Sequence, residues 1–167
     1  MNRKNKIALY GGLLGVSLTY LGVAYFGRRV RYGKLSEMIT ALPGGSNIVD
    51  LLDSPELAQA FNIQYHLGDT IPVGNYYKSP NNKVMKWRDD IYQAGHGGTG
   101  FGTDDSKIEG AFRSMPDKVA VSQVADSYYS RYAIDLYADI LDELSDSPKV
   151  SARIVDRVSQ LPDYTTY

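Results

Sequence analysis

The feature that most constrains this chain is residues 7–26, a run of twenty residues without a charged side chain. A helix rises about 1.5 Å per residue, so this run spans roughly 30 Å, the thickness of the hydrocarbon core of a bilayer. The run is longer than the apolar stretch of a cleaved signal peptide, and it is followed directly by a basic cluster. We therefore expect a retained, single-pass transmembrane helix.

Aromatic and basic side chains flank this run at both ends, as is typical of residues at the two membrane–water interfaces. Both flanks are basic, so the positive-inside rule favours neither orientation of the helix. The expected interface residues are Tyr10, Tyr25, Phe26, Arg28, Arg29 and Arg31.

Within the run, three small residues recur at intervals of four: Gly11, Gly15 and Thr19. This spacing places them on one face of a helix, where small side chains allow a second helix to approach closely. The stripe predicts helix association within the bilayer and therefore a homo-oligomer. The alternative interpretation is the ordinary glycine content of a transmembrane helix.

The charge of the chain is divided unevenly between its two parts. Residues 1–34 carry 7 of the 18 basic residues and no acidic residue, whereas the rest carries 11 basic and 19 acidic residues, a net charge of −8. An acidic surface repels the phosphates of nucleic acids, and it repels anionic lipids unless a cation bridges them. We expect protein partners and a lipid bilayer, and no nucleic acid. The sequence contains no cysteine, which excludes disulfides and thiolate metal sites.

Turn-forming residues divide the chain into three parts. Residues 1–34 form the anchor with its basic flanks, 35–82 a connector of helix and loop, and 83–164 a helical domain. In the connector, Ser54 and Pro55 predict a helix start, with serine as N-cap and proline at the first helical position. Residues 62–82 are rich in turn formers and predict an extended loop.

From residue 83 onward, apolar residues follow the helical period and no strand alternation competes with it. Each group of apolar residues fits one buried face of a short helix. The pattern predicts an all-α domain of about five helices, since short loops connect the groups. The groups are Val84, Trp87, Ile91 and Tyr92; Ile108, Ala111, Phe112 and Met115; Val121, Val124, Ala125, Tyr128 and Tyr132; Leu136, Ile140, Leu141 and Leu144; and Val150, Ile154, Val155 and Val158.

The first two of these helices are joined by residues 95–102, here called the glycine segment, in which five of eight residues are glycine. Its letters satisfy the dinucleotide-binding pattern G-x-G-x-x-G, but that motif follows a strand and belongs to a βαβ unit. A predicted helix precedes the glycine segment. The sequence therefore argues against a nucleotide site.

A second pattern connects the glycine segment to a later helix. The sequence Gly-Phe-Gly-Thr-Asp-Asp at 100–105, followed by Asp-Leu-x-x-Asp-x-x-x-Glu-Leu at 135–144, resembles the repeat of the annexin family. The resemblance covers about 83–164 and a single repeat, of the kind seen in bacterial and phage proteins. It implies a helix–loop–helix whose loop carbonyls surround Ca²⁺, with an acidic side chain from a later helix completing the site. On this sequence the implied ligands are the carbonyls of Gly98, Gly100 and Gly102 and the side chain of Glu143.

The chemistry of a calcium site at this position is sound, because Ca²⁺ takes six to eight oxygen ligands and glycine lets carbonyls converge. The alternative is a purely structural loop. We also expect Thr103 to cap the helix that follows, with Asp104 and Asp105 at the positive end of its dipole.

Motifs of catalysis are missing from the sequence: it has no G-x-S-x-G elbow, no H-E-x-x-H and no P-loop, and its two histidines lie thirty residues apart. The two carboxylates of a sugar-cleaving enzyme need only be close in space and show no fixed spacing in the sequence. In that sense alone, Glu109 and Glu143 are candidates for such a catalytic pair. The tyrosines of 128–132 are expected to pack, with those off the buried face available to a partner. We expect no enzymatic activity.

Together these patterns predict a membrane-anchored structural protein or adaptor that links a bilayer to a protein layer. A membrane-containing phage virion and a bacterial envelope machine are two assemblies of this kind. One alternative is a calcium-dependent phospholipid-binding module. A second alternative is a membrane-anchored enzyme that acts on the cell wall.

The transmembrane prediction can be tested with Val16→Arg, a substitution near the middle of the uncharged run. An arginine at the centre of a helix costs about 2.5–3.5 kcal/mol of insertion free energy. We expect the full chain to remain in the pellet after alkaline carbonate extraction of membranes, and the variant to be largely released. Ser46→Arg, outside the run, is the control and should behave like the unchanged chain. Release of the unchanged chain by carbonate contradicts the prediction.

Overall fold

The computed structural model describes residues 40–41, 52, 54–68, 78–97 and 103–166. In these ranges the chain is all-α and forms no β-strand, as the helical periodicity predicts. The elements are α1 (Pro55–Ala60), a 3₁₀ turn (Tyr65–Leu67), α2 (Asn81–His96), α3 (Asp105–Ser114), α4 (Lys118–Tyr132), α5 (Leu136–Glu143) and α6 (Pro148–Ser159).

Several predicted features lie outside the described residues. These are the transmembrane run with its Gly11, Gly15 and Thr19 stripe, the interface residues of its flanks, and Gly98, Gly100 and Gly102 of the glycine segment. Among the helices that are described, none is both long and apolar enough to cross a membrane. The transmembrane helix therefore stays a prediction.

Helix α1 begins as the sequence predicts. The Ser54 hydroxyl accepts a hydrogen bond from the Leu57 amide at 3.3 Å, and Pro55 occupies the first turn, where its missing N–H costs nothing. The following stretch is less extended than predicted, because residues Tyr65–Leu67 form a 3₁₀ turn. The Asn62 side chain accepts a hydrogen bond from the Gln64 amide at 2.9 Å and so supports the turn.

The prediction that Thr103 caps α3 is wrong. The cap is Asp104, whose carboxylate accepts a hydrogen bond from the Lys107 amide at 3.1 Å. A carboxylate at this position also benefits from the positive end of the helix dipole. The Thr103 hydroxyl donates instead to Glu143 on α5, so it joins two elements that are distant in sequence.

Helix α4 lies at the centre of the fold and contacts α1, α2, α5 and the 3₁₀ turn. Its residues from Lys118 to Val121 are all buried, followed by Val124, Ala125 and Tyr128. Ala120, Val121, Val124, Ala125 and Tyr128 join side chains of the other helices in one main hydrophobic core. Val119 packs with Tyr65 in a second, smaller cluster. Prediction and structure agree here, since the apolar positions of all five predicted helices supply this core.

The C-terminal tail is held against the start of α4. The buried Asp117 side chain accepts one hydrogen bond from the Ala120 amide and another from the Thr165 amide, each at 2.8 Å. Lys118 is also buried and forms an ion pair with Asp163 at 2.8 Å. One aspartate therefore caps the central helix and fixes the tail.

We expect Asp117→Ala to lower the free energy of unfolding by about 2 kcal/mol, because it removes a helix cap and leaves the Thr165 amide without its acceptor. Unfolding of the full chain in detergent can be followed by the near-ultraviolet signal of Trp87. Asp104→Ala is the matched control, since it removes an exposed cap without a tail contact and should cost about 1 kcal/mol. Equal losses in the two variants would show that the tail contact contributes nothing.

Candidate metal centre

Three side chains that can bind a metal meet at the start of the glycine segment. His96 is the last residue of α2, while Asp139 and Glu143 lie one turn apart on α5 and so share one face of that helix. One potential ligand atom from each residue lies within 4.8 Å of the others.

The two nitrogens of His96 face two different carboxylates. Its Nε2 lies 2.9 Å from Oδ2 of Asp139, whereas its Nδ1 lies 3.7 Å from Oε1 of Glu143. The first distance is that of a hydrogen bond, and the second is too long for one. An ionised carboxylate only accepts hydrogen bonds, so the contact with Asp139 places a proton on Nε2. In the neutral ring, Nδ1 then carries the lone pair, which faces Glu143.

The His96 ring packs against an aromatic ring of the same helix. The Tyr92 ring lies one turn before His96 on α2, with 4.7 Å between the two ring centroids. Tyr92 is in turn stacked on Tyr132 of α4, at 3.7 Å and nearly parallel. The imidazole is therefore attached to the core through two tyrosines.

Hydroxyl groups of Tyr128 and Thr103 orient the two carboxylates. The Tyr128 hydroxyl donates a hydrogen bond to Oδ2 of Asp139, and the Thr103 hydroxyl donates to Oε2 of Glu143 at 2.9 Å. Tyr128 is fully buried in the core, and burial, together with the Asp139 carboxylate, raises the pKa of its hydroxyl. Tyr128 therefore stays protonated and acts as a donor.

Two glycines make room for this arrangement. A Cβ added to Gly95 would lie 3.0 Å from Cγ of Glu143, so the Glu143 side chain packs directly on the α2 backbone. A Cβ added to Gly97 would lie 2.6 Å from the carbonyl oxygen of Gln93, a distance that forces the backbone to move. Glycine at 95 thus allows the close contact with Glu143, and glycine at 97 allows α2 to end with this backbone geometry.

The centre carries uncompensated negative charge. Within the described part of the chain, no lysine or arginine forms an ion pair with Asp139 or Glu143, and His96 is the partner of both. The side chains of these carboxylates are only 11% and 22% exposed, so water solvates them incompletely. Such a site attracts cations.

Glu143 is the last residue of α5, and its side chain contacts Gly95 and Thr103. The carbonyls of Gly98, Gly100 and Gly102 are outside the described residues, so a calcium site formed with them stays a prediction. Sequence reasoning missed Asp139 and His96 as members of this centre. The available signal was the i, i+4 spacing of Asp139 and Glu143, which shows that they share a helix face.

The second histidine has a different environment. His66 is buried in the 3₁₀ turn, and its Nδ1 lies 3.1 Å from the Ser122 hydroxyl. Its Nε2 faces a single carboxylate, Asp126, at 3.6 Å. Burial lowers the pKa of His66, although Asp126 opposes that effect. This histidine is a hydrogen-bonded core residue.

Glu109, the other permissive catalytic candidate, belongs to a separate cluster. Arg153 donates two hydrogen bonds to its carboxylate, at 2.7 and 3.0 Å, and Arg113 adds a third at 2.6 Å. The bond from Arg153 is the main cause of a lowered pKa of Glu109. Glu109 and Glu143 therefore have different partners, and the arginines keep Glu109 ionised and engaged.

Comparisons with protein-family models, with curated proteins and with solved structures each give no match for this chain. The likeness to an annexin repeat therefore stays a prediction.

The lowered pKa of Glu109 predicts a specific acid sensitivity. Because the pKa is lower in the folded chain than its ordinary value of 4.5, Glu109 stabilises the fold fully above that value, and this contribution is lost as pH falls through the folded pKa. We expect the urea midpoint of the unchanged chain to fall more between pH 5 and pH 3 than that of Glu109→Gln.

The control for this experiment is Glu56→Gln, which removes an exposed carboxylate on α1. Its urea midpoint should fall as steeply with acid as that of the unchanged chain. If Glu109→Gln has the same acid dependence as this control, the arginine cluster does not stabilise the fold through Glu109.

Proposed function

We propose that the protein is a non-enzymatic, single-pass membrane protein that acts as an anchor or adaptor in a larger assembly and links the bilayer to a protein layer. The observation that carries the proposal is the joining of residues 7–26, uncharged and long enough to span a bilayer, to an acidic all-α domain. The basic N-terminal part suits a position at the membrane, and the acidic part suits contact with a protein partner.

The packing of the helical domain supports a scaffolding role. In the described residues, every buried side-chain nitrogen or oxygen has a hydrogen-bond partner. The grooves found on this part of the surface are open to solvent. A fully satisfied core with open grooves gives a rigid body that presents surfaces to a partner.

One face of the domain has the features of a protein-binding surface. A groove between α2 and α4, here called the α2–α4 groove, contains Met85 and Arg88 on one wall and Gln123 and Asp126 on the other. Met85 and Leu67 are exposed, and Leu67 directly follows the groove residue His66. Methionine and arginine are enriched at protein interfaces, as are exposed aromatic residues such as Tyr129, which is 51% exposed on α4.

A photo-crosslinking amino acid placed at Met85 or at Tyr129 tests this proposal in the full chain and in its native membrane. We expect both positions to yield a crosslink to a distinct second protein. The control position is Arg157, an exposed residue of α6 on another helix. Mass spectrometry of the crosslinked species identifies the partner.

Two results contradict the proposal. One is the recovery of the chain in the soluble fraction after cell lysis without detergent. The other is a set of crosslinks in which Met85 and Tyr129 react only with lipid, or no more than the control position does.

A calcium-dependent phospholipid-binding module is the second candidate, favoured by one observation: the Glu143 carboxylate lies against Gly95 and Thr103 at the two ends of the glycine segment. Calorimetric titration of the full chain with Ca²⁺, beside Glu143→Ala, distinguishes this candidate. Heat that disappears in the variant supports it, whereas no heat, or equal heat from both proteins, excludes it. The cell-wall enzyme gains no support, since Glu109 is held by two arginines.

A further inference from the structure

We propose that a divalent transition-metal ion of the zinc class binds between Nδ1 of His96 and Oε1 of Glu143. In this arrangement Asp139 is a positioning residue that holds the imidazole through Nε2. The inference goes beyond the adaptor function. It also differs from the calcium site that the annexin resemblance implies, because one of its two protein ligands is a nitrogen atom, Nδ1 of His96.

The spacing of the two facing atoms suits such an ion. Zinc binds histidine nitrogen at about 2.0–2.1 Å and carboxylate oxygen at about 2.0–2.2 Å, so two ligands at a tetrahedral angle lie roughly 3.4 Å apart. The Nδ1 to Oε1 distance is 3.7 Å, too long for a hydrogen bond and slightly wider than the tetrahedral spacing. A small rotation of the Glu143 side chain closes the difference.

The surrounding hydrogen bonds leave these two atoms as the open positions. Nε2 of His96 is occupied by Asp139, which is itself held by Tyr128, and Oε2 of Glu143 is occupied by Thr103. A histidine that binds a metal almost always donates its other N–H to a carboxylate or a carbonyl, which fixes the tautomer and raises the basicity of the ligand. The pairing of Asp139 with His96 has this form.

The ligand set selects among divalent ions. Imidazole nitrogen suits Zn²⁺, Ni²⁺ and Cu²⁺, whereas Ca²⁺ and Mg²⁺ take oxygen ligands. Two carboxylates without a lysine or arginine partner in the described residues supply the negative charge that a dication needs. A bound ion would connect the end of α2 to the end of α5 and so fix the geometry on both sides of the glycine segment.

The test uses the full chain without an affinity tag, in uncharged detergent micelles, with metal chlorides as the probes. We expect calorimetry to show one Zn²⁺ per chain, bound at least ten-fold more tightly than Ca²⁺. The substitutions His96→Ala and Glu143→Gln should each weaken Zn²⁺ binding by at least ten-fold. The matched control is Asp142→Asn, an exposed carboxylate on the same helix, and it should leave the affinity within two-fold.

The positioning role of Asp139 is tested by Asp139→Asn, which we expect to weaken Zn²⁺ binding by about 10–100-fold. Nitrogen-15 spectra of the imidazole rings give a readout that a merely structural role would not change. In the unchanged chain without metal, His96 should carry its proton on Nε2. In Asp139→Asn this preference should be lost while the overall helical signal is kept.

The same spectra also show, without any substitution, which imidazole nitrogen binds zinc, because the chain has only two histidines. Zinc should shift Nδ1 of one ring, that of His96, and leave the ring of His66 unchanged. Metal on Nε2, metal on His66, or no change in either ring overturns the proposal. So does Zn²⁺ binding that survives His96→Ala, or Ca²⁺ binding as tight as that of Zn²⁺ and independent of His96, which would favour the calcium site.

Discussion

The burial of helix α4 is the constraint on which the rest of the described structure depends. This helix contacts α1, α2, α5 and the 3₁₀ turn, and Tyr128 lies fully buried in its last turns. The ring of Tyr128 packs in the core while its hydroxyl reaches Asp139 in the candidate metal centre. A buried tyrosine needs a partner for its hydroxyl, so Tyr128 both fills the core and orients Asp139.

Local chemistry determined how much could be predicted from the sequence. The helical period identified the buried faces from Val84 to Val158, and the Ser54–Pro55 pair identified the start of α1, because both signals depend on residues a few positions apart. Thr103 was assigned to a cap because caps are also local, but its hydroxyl bonds to Glu143, forty residues away. The pairing of His96 with Asp139, across 43 residues, depends on how α2 and α5 pack and leaves no pattern in the sequence.

The two histidines show why the environment of a residue, and not its type, decides its role. His66 contacts a hydroxyl that also donates to the Asn62 carbonyl, so its surroundings form a closed network in the core. His96 lies at a helix end between two carboxylates, one at hydrogen-bond distance and one beyond it. His66 faces a single carboxylate, Asp126, whereas His96 faces two, which together supply the negative charge that a divalent ion needs.

An ion at the candidate centre would also change what the acidic domain presents to its surroundings. The two carboxylates carry a charge of about −2, which a zinc ion would neutralise. His96 would then be held by the ion, and Thr103, which follows the glycine segment, is held through Glu143. Holding the ends of α2 and α5 together before a partner binds lowers the entropy lost on binding, so the metal would favour association without touching the partner itself.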